Sequence, residues 1–126
     1  MIALDSITLP DDLWWADEIA WSPVEQSAEY TLQGALVVEE AAKLAGRPIT
    51  LAGHEQRAWV RRSTVLALMA MAAIPGKEMV LTLEARTFNV IFRRGDGPPI
   101  EAESLTMMSA PEDNDWYTLT LRLMEI

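Results

Sequence analysis

Apolar and polar positions alternate most regularly over residues 116–124, where Leu119, Leu121 and Leu123 share one face and Thr118, Thr120 and Arg122 the other. That period of two is the mark of a half-buried strand. It recurs in 79–83, with Met79, Leu81 and Leu83 on one face, and in 88–92, with Phe88, Val90 and Phe92. The short Glu84-Ala-Arg-Thr87 link between them predicts a hairpin. Over 55–74 the period changes. Trp59, Arg62, Leu66, Met69 and Ala73 recur at steps of three and four before Pro75-Gly76, which predicts a helix near 56–74. Its later turns are almost wholly apolar, so that half is expected to be buried. Residues 47–51 read as a short strand with Pro48 at its start or on an edge, and 100–108 as a further strand.

Two stretches are harder to read. Around Gly34, Tyr30, Leu32, Ala35 and Val37 suit a strand through Glu40, while 38–45 followed by Gly46 also suits a short helix with a glycine C-cap. The strand is the expectation adopted. Residues 1–24 show no period and are punctuated by Pro10 and Pro23, so they read as an irregular N-terminal arm. The expected fold is α+β and β-rich: a mainly antiparallel barrel or sandwich of five to seven strands in residues 25–126, with one apolar helix at its flank. A parallel doubly wound sheet needs more crossover helices than this pattern supplies.

Length keeps this to one domain over 1–126, with half the residues hydrophobic and 23% charged. No cysteine is present, which removes thiolate nucleophiles, disulfides and sulfur-based metal sites, and the start lacks the pattern of a signal peptide. A soluble protein made in the cytosol, without a membrane partner, is expected. The net charge of −9 disfavours binding of nucleic acid through the overall field. Its distribution says more than its total. Residues 1–42 hold nine acids and no Lys or Arg; 43–62 hold Lys43, Arg47, Arg57, Arg61 and Arg62 against Glu55 alone; 63–126 return to a balance of −4. Such blocks commonly neutralise one another within a subunit. They equally suit contact between copies, the acidic block of one meeting the basic block of the next.

Catalytic patterns are weak. The pairs Asp11/Asp12, Asp17/Glu18 and Glu39/Glu40 are adjacent, and neighbours on a strand point to opposite faces. His54 is the lone histidine, with too few companions for a metal site, and no nucleophile elbow supports a triad. Gly95-Asp-Gly-Pro-Pro99 lacks the lysine and helix of a phosphate loop, and the Arg94-Gly-Asp96 triplet fits turn chemistry. The methionines of 68–72 and Met107-Met108 read as core filling. No enzymatic activity and no cofactor are expected. The five tryptophans carry more information. Trp14 and Trp15 are adjacent in an acidic segment, so an extended backbone turns one outward, a suitable anchor for another subunit. With the charge blocks, this singles out Trp14, Trp15, Asp11, Asp12, Arg47, Arg61 and Arg62 as candidate interface residues.

The order of segments resembles small tail or baseplate proteins of tailed bacteriophages and their prophage relatives. The resemblance rests on Trp21-Ser-Pro-Val-Glu-Gln-Ser27, Gly34-Ala-Leu-Val-Val-Glu-Glu40, Gly46-Arg-Pro-Ile-Thr-Leu51, Trp59 before an apolar helix, the Leu81/Phe88 hairpin and Tyr117-Thr-Leu-Thr-Leu-Arg-Leu123. It implies a structural, homo-oligomeric ring around the DNA channel, located in the virion, with other phage tail proteins as partners and no sequence-specific nucleic acid. A different reading of the charge is a small acidic DNA mimic that occupies a host nucleic-acid-binding protein.

Overall fold

A computed structural model describes residues 1–105 and 109–126. Its strands are β1 (Ile2–Leu4), β2 (Ile7–Leu9), β3 (Trp14–Trp15), β4 (Val24–Tyr30), β5 (Leu36–Ala42), β6 (Pro48–Ala52), β7 (Val60–Arg61), β8 (Met79–Leu83), β9 (Arg86–Phe92), β10 (Ile100–Ser104) and β11 (Trp116–Glu125), with one helix among the described residues, α1 (Arg62–Ala72). All strand pairings are antiparallel. The β-rich, antiparallel expectation therefore holds, although the strands are shorter and more numerous than the periodicity suggested.

Nine strands form one sheet in the order β2-β1-β8-β9-β11-β6-β3, with β7 and β10 also paired to β11. The longest alternating segment of the sequence is the centre of that sheet. Residues 117–121 pair with β10 and 123–125 with β9, while 120–124 pair with β6 and 116–117 with β7. Leu119, Leu121 and Leu123 are fully buried, as their spacing requires, and so are Ile49, Leu51, Leu81 and Val90 from the neighbouring strands. The sheet bends around this core: the rings of Trp15 on β3 and Phe88 on β9 meet edge to face at 5.6 Å, although β6 and β11 lie between their strands.

The first 24 residues are not an irregular arm. β1 pairs with both β2 and β8, β3 pairs with β6, and Ile2, Leu4, Leu9, Leu13 and Trp15 are buried. Three strands of two or three residues are too short to show a period, so their apolar positions do not stand out in the sequence. The acids between them hold the backbone in place. Asp5 accepts from Val80 N–H, Asp11 from Ile2 N–H at 3.2 Å and Asp12 from Ala58 N–H at 3.0 Å.

The helix begins later than expected. Residues 54–57 close a small bridge between His54 and Arg57, Ala58 takes a φ of 59°, and Val60 and Arg61 pair with Tyr117 and Trp116. Only from Arg62 onward is the backbone helical, its first N–H groups donating to the carbonyls of Asp115 and Asp113. Trp59 and Arg62 fit a helical period by coincidence, one lying before β7 and the other at the start of α1. The expected burial of the apolar later turns is also corrected. Val65 and Leu68 are buried on the sheet side, whereas Leu66, Met69, Ala70, Ala73 and Ile74 are exposed. A helix lying on a sheet buries one stripe, and nothing else among the described residues covers the other.

The segment expected as one strand around Gly34 is two. Gly34 takes a φ of 85°, and Thr31 N–H donates to Ala35 C=O, so the chain reverses and β4 pairs with β5 from Val24↔Ala42 to Tyr30↔Leu36. The β8/β9 turn tightens to Glu84-Ala85, with Glu84 at a φ of 52°. The strand expected over 100–108 runs to Ser104; its positions 106–108, and with them Met107-Met108 as core filling, lie outside the described residues.

Candidate subunit interface

The candidate interface residues do not form one surface. Trp14 and Trp15 face opposite ways, as the extended backbone dictates: Trp14 is 59% exposed and Trp15 8%. Trp15 belongs to the protein's own core, where the guanidiniums of Arg47 and Arg86 lie 4.6 and 5.2 Å from its ring centroid. Arg47 also donates to Glu18 C=O. Asp11 and Asp12 are committed to Ile2 and Ala58, as described above. At the other end of the sheet, Arg61 stacks 4.2 Å from the Trp116 ring, Trp116 lies 6.3 Å from Trp59, and Arg62 donates to the Tyr117 hydroxyl. Trp59, Arg61 and Trp116 together line a shallow cleft of mixed polarity beside Pro10.

Much of the charge pattern is neutralised within the chain. Asp17 accepts from the backbone and hydroxyl of Thr50, and Arg93 reaches it at 3.7 Å; Glu18 pairs with Arg86 at 3.0 Å and Glu25 with Lys43 at 3.6 Å. These pairs join the acidic N-terminal block to cations elsewhere in the same subunit. Arg93 further binds Leu123 C=O, Thr50 Oγ1 and Asp96. Its hydrogen bond is the main cause that holds the Asp96 carboxyl below its ordinary pKa. A carboxylate depressed in the folded state adds stability above its unfolded pKa and loses that contribution as pH falls through the folded value. Replacing Arg93 by Lys, which has no planar fork, is expected to return the Asp96 midpoint toward its ordinary value, read by NMR of the side-chain carboxyl carbon. An unchanged midpoint would exclude the guanidinium as the cause.

Sequence reasoning missed the feature with the clearest bearing on contact. The β4/β5 hairpin forms its own two-stranded sheet, its strands pair only with each other among the described residues, and every residue in both is exposed. Cross-strand register sorts its side chains into two faces. Val24, Ala28 and Tyr30 lie opposite Ala42, Val38 and Leu36, interrupted by one polar pair, Gln26 opposite Glu40, in which Gln26 donates to Glu40. The other face presents Glu25, Ser27 and Glu29 opposite Ala41, Glu39 and Val37. One side of the hairpin is thus apolar and the other acidic, and the segment 24–42 holds no cation. An isolated two-stranded ribbon is at best marginal in water, and an apolar face of this kind is ordinarily covered. The alternation in each strand was visible once Gly34 is read as a turn.

No group of three or more His, Asp or Glu able to hold a metal ion occurs among the described residues. His54 Nδ1 accepts from Gln56 N–H in a surface turn. A cleft of about 330 Å³ between Leu13, Trp15, Leu51 and Leu83 is mainly apolar, and of the carboxylates at its rim Glu18 is paired with Arg86. No helix among the described residues is long and apolar enough to cross a membrane. Compared with family models, curated proteins and solved structures, the chain matches none.

Proposed function

We propose that this chain is a non-enzymatic structural subunit of a phage tail or baseplate, forming a homo-oligomeric ring around the DNA channel and contacting the tail tube or an adjacent ring. The observation that carries the reading is the free-standing β4/β5 hairpin, apolar on one face and acidic on the other. A subunit that keeps its hydrophobic core to itself has no use for such an element alone; one that reaches to a neighbour does. Its acidic face gives DNA phosphates no cation to hold, which suits a surface past which DNA moves. The order of sequence segments supplies the phage assignment. Trp14 and the Arg61/Trp116 stack remain surface anchors in this reading, while Trp15, Arg47, Asp11 and Asp12 serve the subunit's own fold.

Native mass spectrometry and electron microscopy of the purified protein, alone and mixed with neighbouring tail proteins, test it. A closed ring of fixed subunit number is expected. A species that stays monomeric at high concentration in both settings would overturn the reading, and capture of a basic host nucleic-acid-binding protein by the monomer would favour the acidic mimic instead.

A further inference from the structure

The chain carries a second apolar surface that nothing among the described residues covers. On the outward side of α1, Leu66, Met69, Ala70 and Ala73 follow one another at helical spacing, and Ile74 extends the stripe past the helix end. Leu66, Met69 and Ile74 are each about half exposed. No charged residue occurs from Ser63 to Gly76. The stripe continues into a groove of about 240 Å³ that Met69, Ala72 and Ala73 form with Pro98, Pro99 and Arg94. Arg94 closes the helix end by donating to Ala72 C=O and lies over the Phe92 ring, but it has no carboxylate partner among the described residues. Lys77, just beyond the stripe, has none either.

We infer that the apolar face of the β4/β5 hairpin of one copy seats on the outward stripe of α1 in the next copy. The inference rests on the ring reading above and specifies which two surfaces meet. Both are apolar, both are uncovered, and they belong to different elements of one chain, so their union is a head-to-tail contact, the kind that closes rings. Charge argues for this occupant over an unrelated one. On the seating face of the hairpin Glu40, which accepts from Gln26, has no ion-pair partner among the described residues, and Arg94 in the helix groove has no carboxylate partner among them. An unpaired carboxylate on one apolar face and an unpaired guanidinium beside the other set the register of the two surfaces and disfavour the reversed orientation.

The absence of cysteine allows a direct test. One batch of protein carries Val38→Cys on the apolar face of the hairpin and a second carries Met69→Cys on the helix; the two are mixed and oxidised, so that any mixed disulfide joins separate copies. Val38/Met69 mixing is expected to yield about tenfold more mixed dimer than Glu39/Met69 mixing, because a disulfide forms only when the Cα atoms come within about 7 Å and Glu39 points from the other face. Ala28→Cys with Ala73→Cys gives an independent pair. A ring by native mass spectrometry with equal cross-linking from both faces, or with Val38 joined only to Val38, would overturn this contact and leave the ring standing. A monomer without cross-links would overturn both.

Discussion

Replacing residues 24–42 by a short glycine-serine linker is expected to leave a folded body and abolish self-assembly. Among the described residues the hairpin's strands pair with nothing but each other, and its base is already closed where Lys43 N–H meets Pro23 C=O at 2.9 Å, so a short link spans the gap. Removing an element whose residues are all exposed and that pairs with no strand of the body among the described residues is expected to change the body's unfolding free energy by no more than about 1 kcal/mol. Assembly responds all or none: sedimentation of the intact protein reports the oligomer, and that of the excised variant a monomer. An oligomer that survives excision would assign assembly to another surface, and a body that unfolds on excision would make the hairpin part of the core.

The second large effect lies in the body. Leu121 is fully buried on the central strand, paired with Leu51 on one side and Ile100 on the other. Leu121→Ala is expected to cost about 2–5 kcal/mol through lost transfer energy and the cavity left behind, a large share of the roughly 5–15 kcal/mol that holds a domain together. Leu66→Ala on the outward helix stripe is expected to cost the monomer less than about 0.5 kcal/mol, as exposed substitutions do. Denaturant titration of the two variants, under conditions that keep the protein monomeric, separates them. Equal costs would mean that the helix stripe is buried in the subunit or that β11 is not at its centre. The contrast separates leucines that hold the fold from leucines left exposed on its surface.

Legibility in the sequence followed element length. β11, β8 and β9 were readable because each repeats its period at least twice, and their buried positions fall where the alternation puts them. β1, β2 and β3 were not, since two or three residues cannot display a period and Pro10 near them resembles loop punctuation. The helix start was misplaced by a coincidence of spacing: Trp59 lies before β7 and Arg62 opens α1, yet they stand three residues apart. Which Trp faces outward follows only from the pairing of β3 with β6. The candidate contact was hidden for a different reason. A one-strand reading across Gly34 places its apolar residues on no consistent face, and only the reversal at residues 31–35 brings Ala28 beside Val38 and Tyr30 beside Leu36. The charge blocks were legible as composition, but their chief partners proved to be intramolecular, through Arg86 and Arg93 outside the basic block.

The central position of β11 also has a consequence for synthesis. Among the described residues, β11 alone joins the strands on the β9 side of the sheet to those on the β6 side, and it follows all of them in the chain. A growing chain therefore cannot seal its core until residues 116–125 have left the ribosome. The hairpin is complete much earlier, by residue 42. At about 5–20 residues per second, the roughly 80 residues between imply an interval of roughly 4–16 seconds. During that time the apolar face of the hairpin is displayed on a chain whose body has yet to close. Nascent copies on one message then display an apolar face before they are shaped, and the like charge of the hairpin's glutamates opposes their association during that interval.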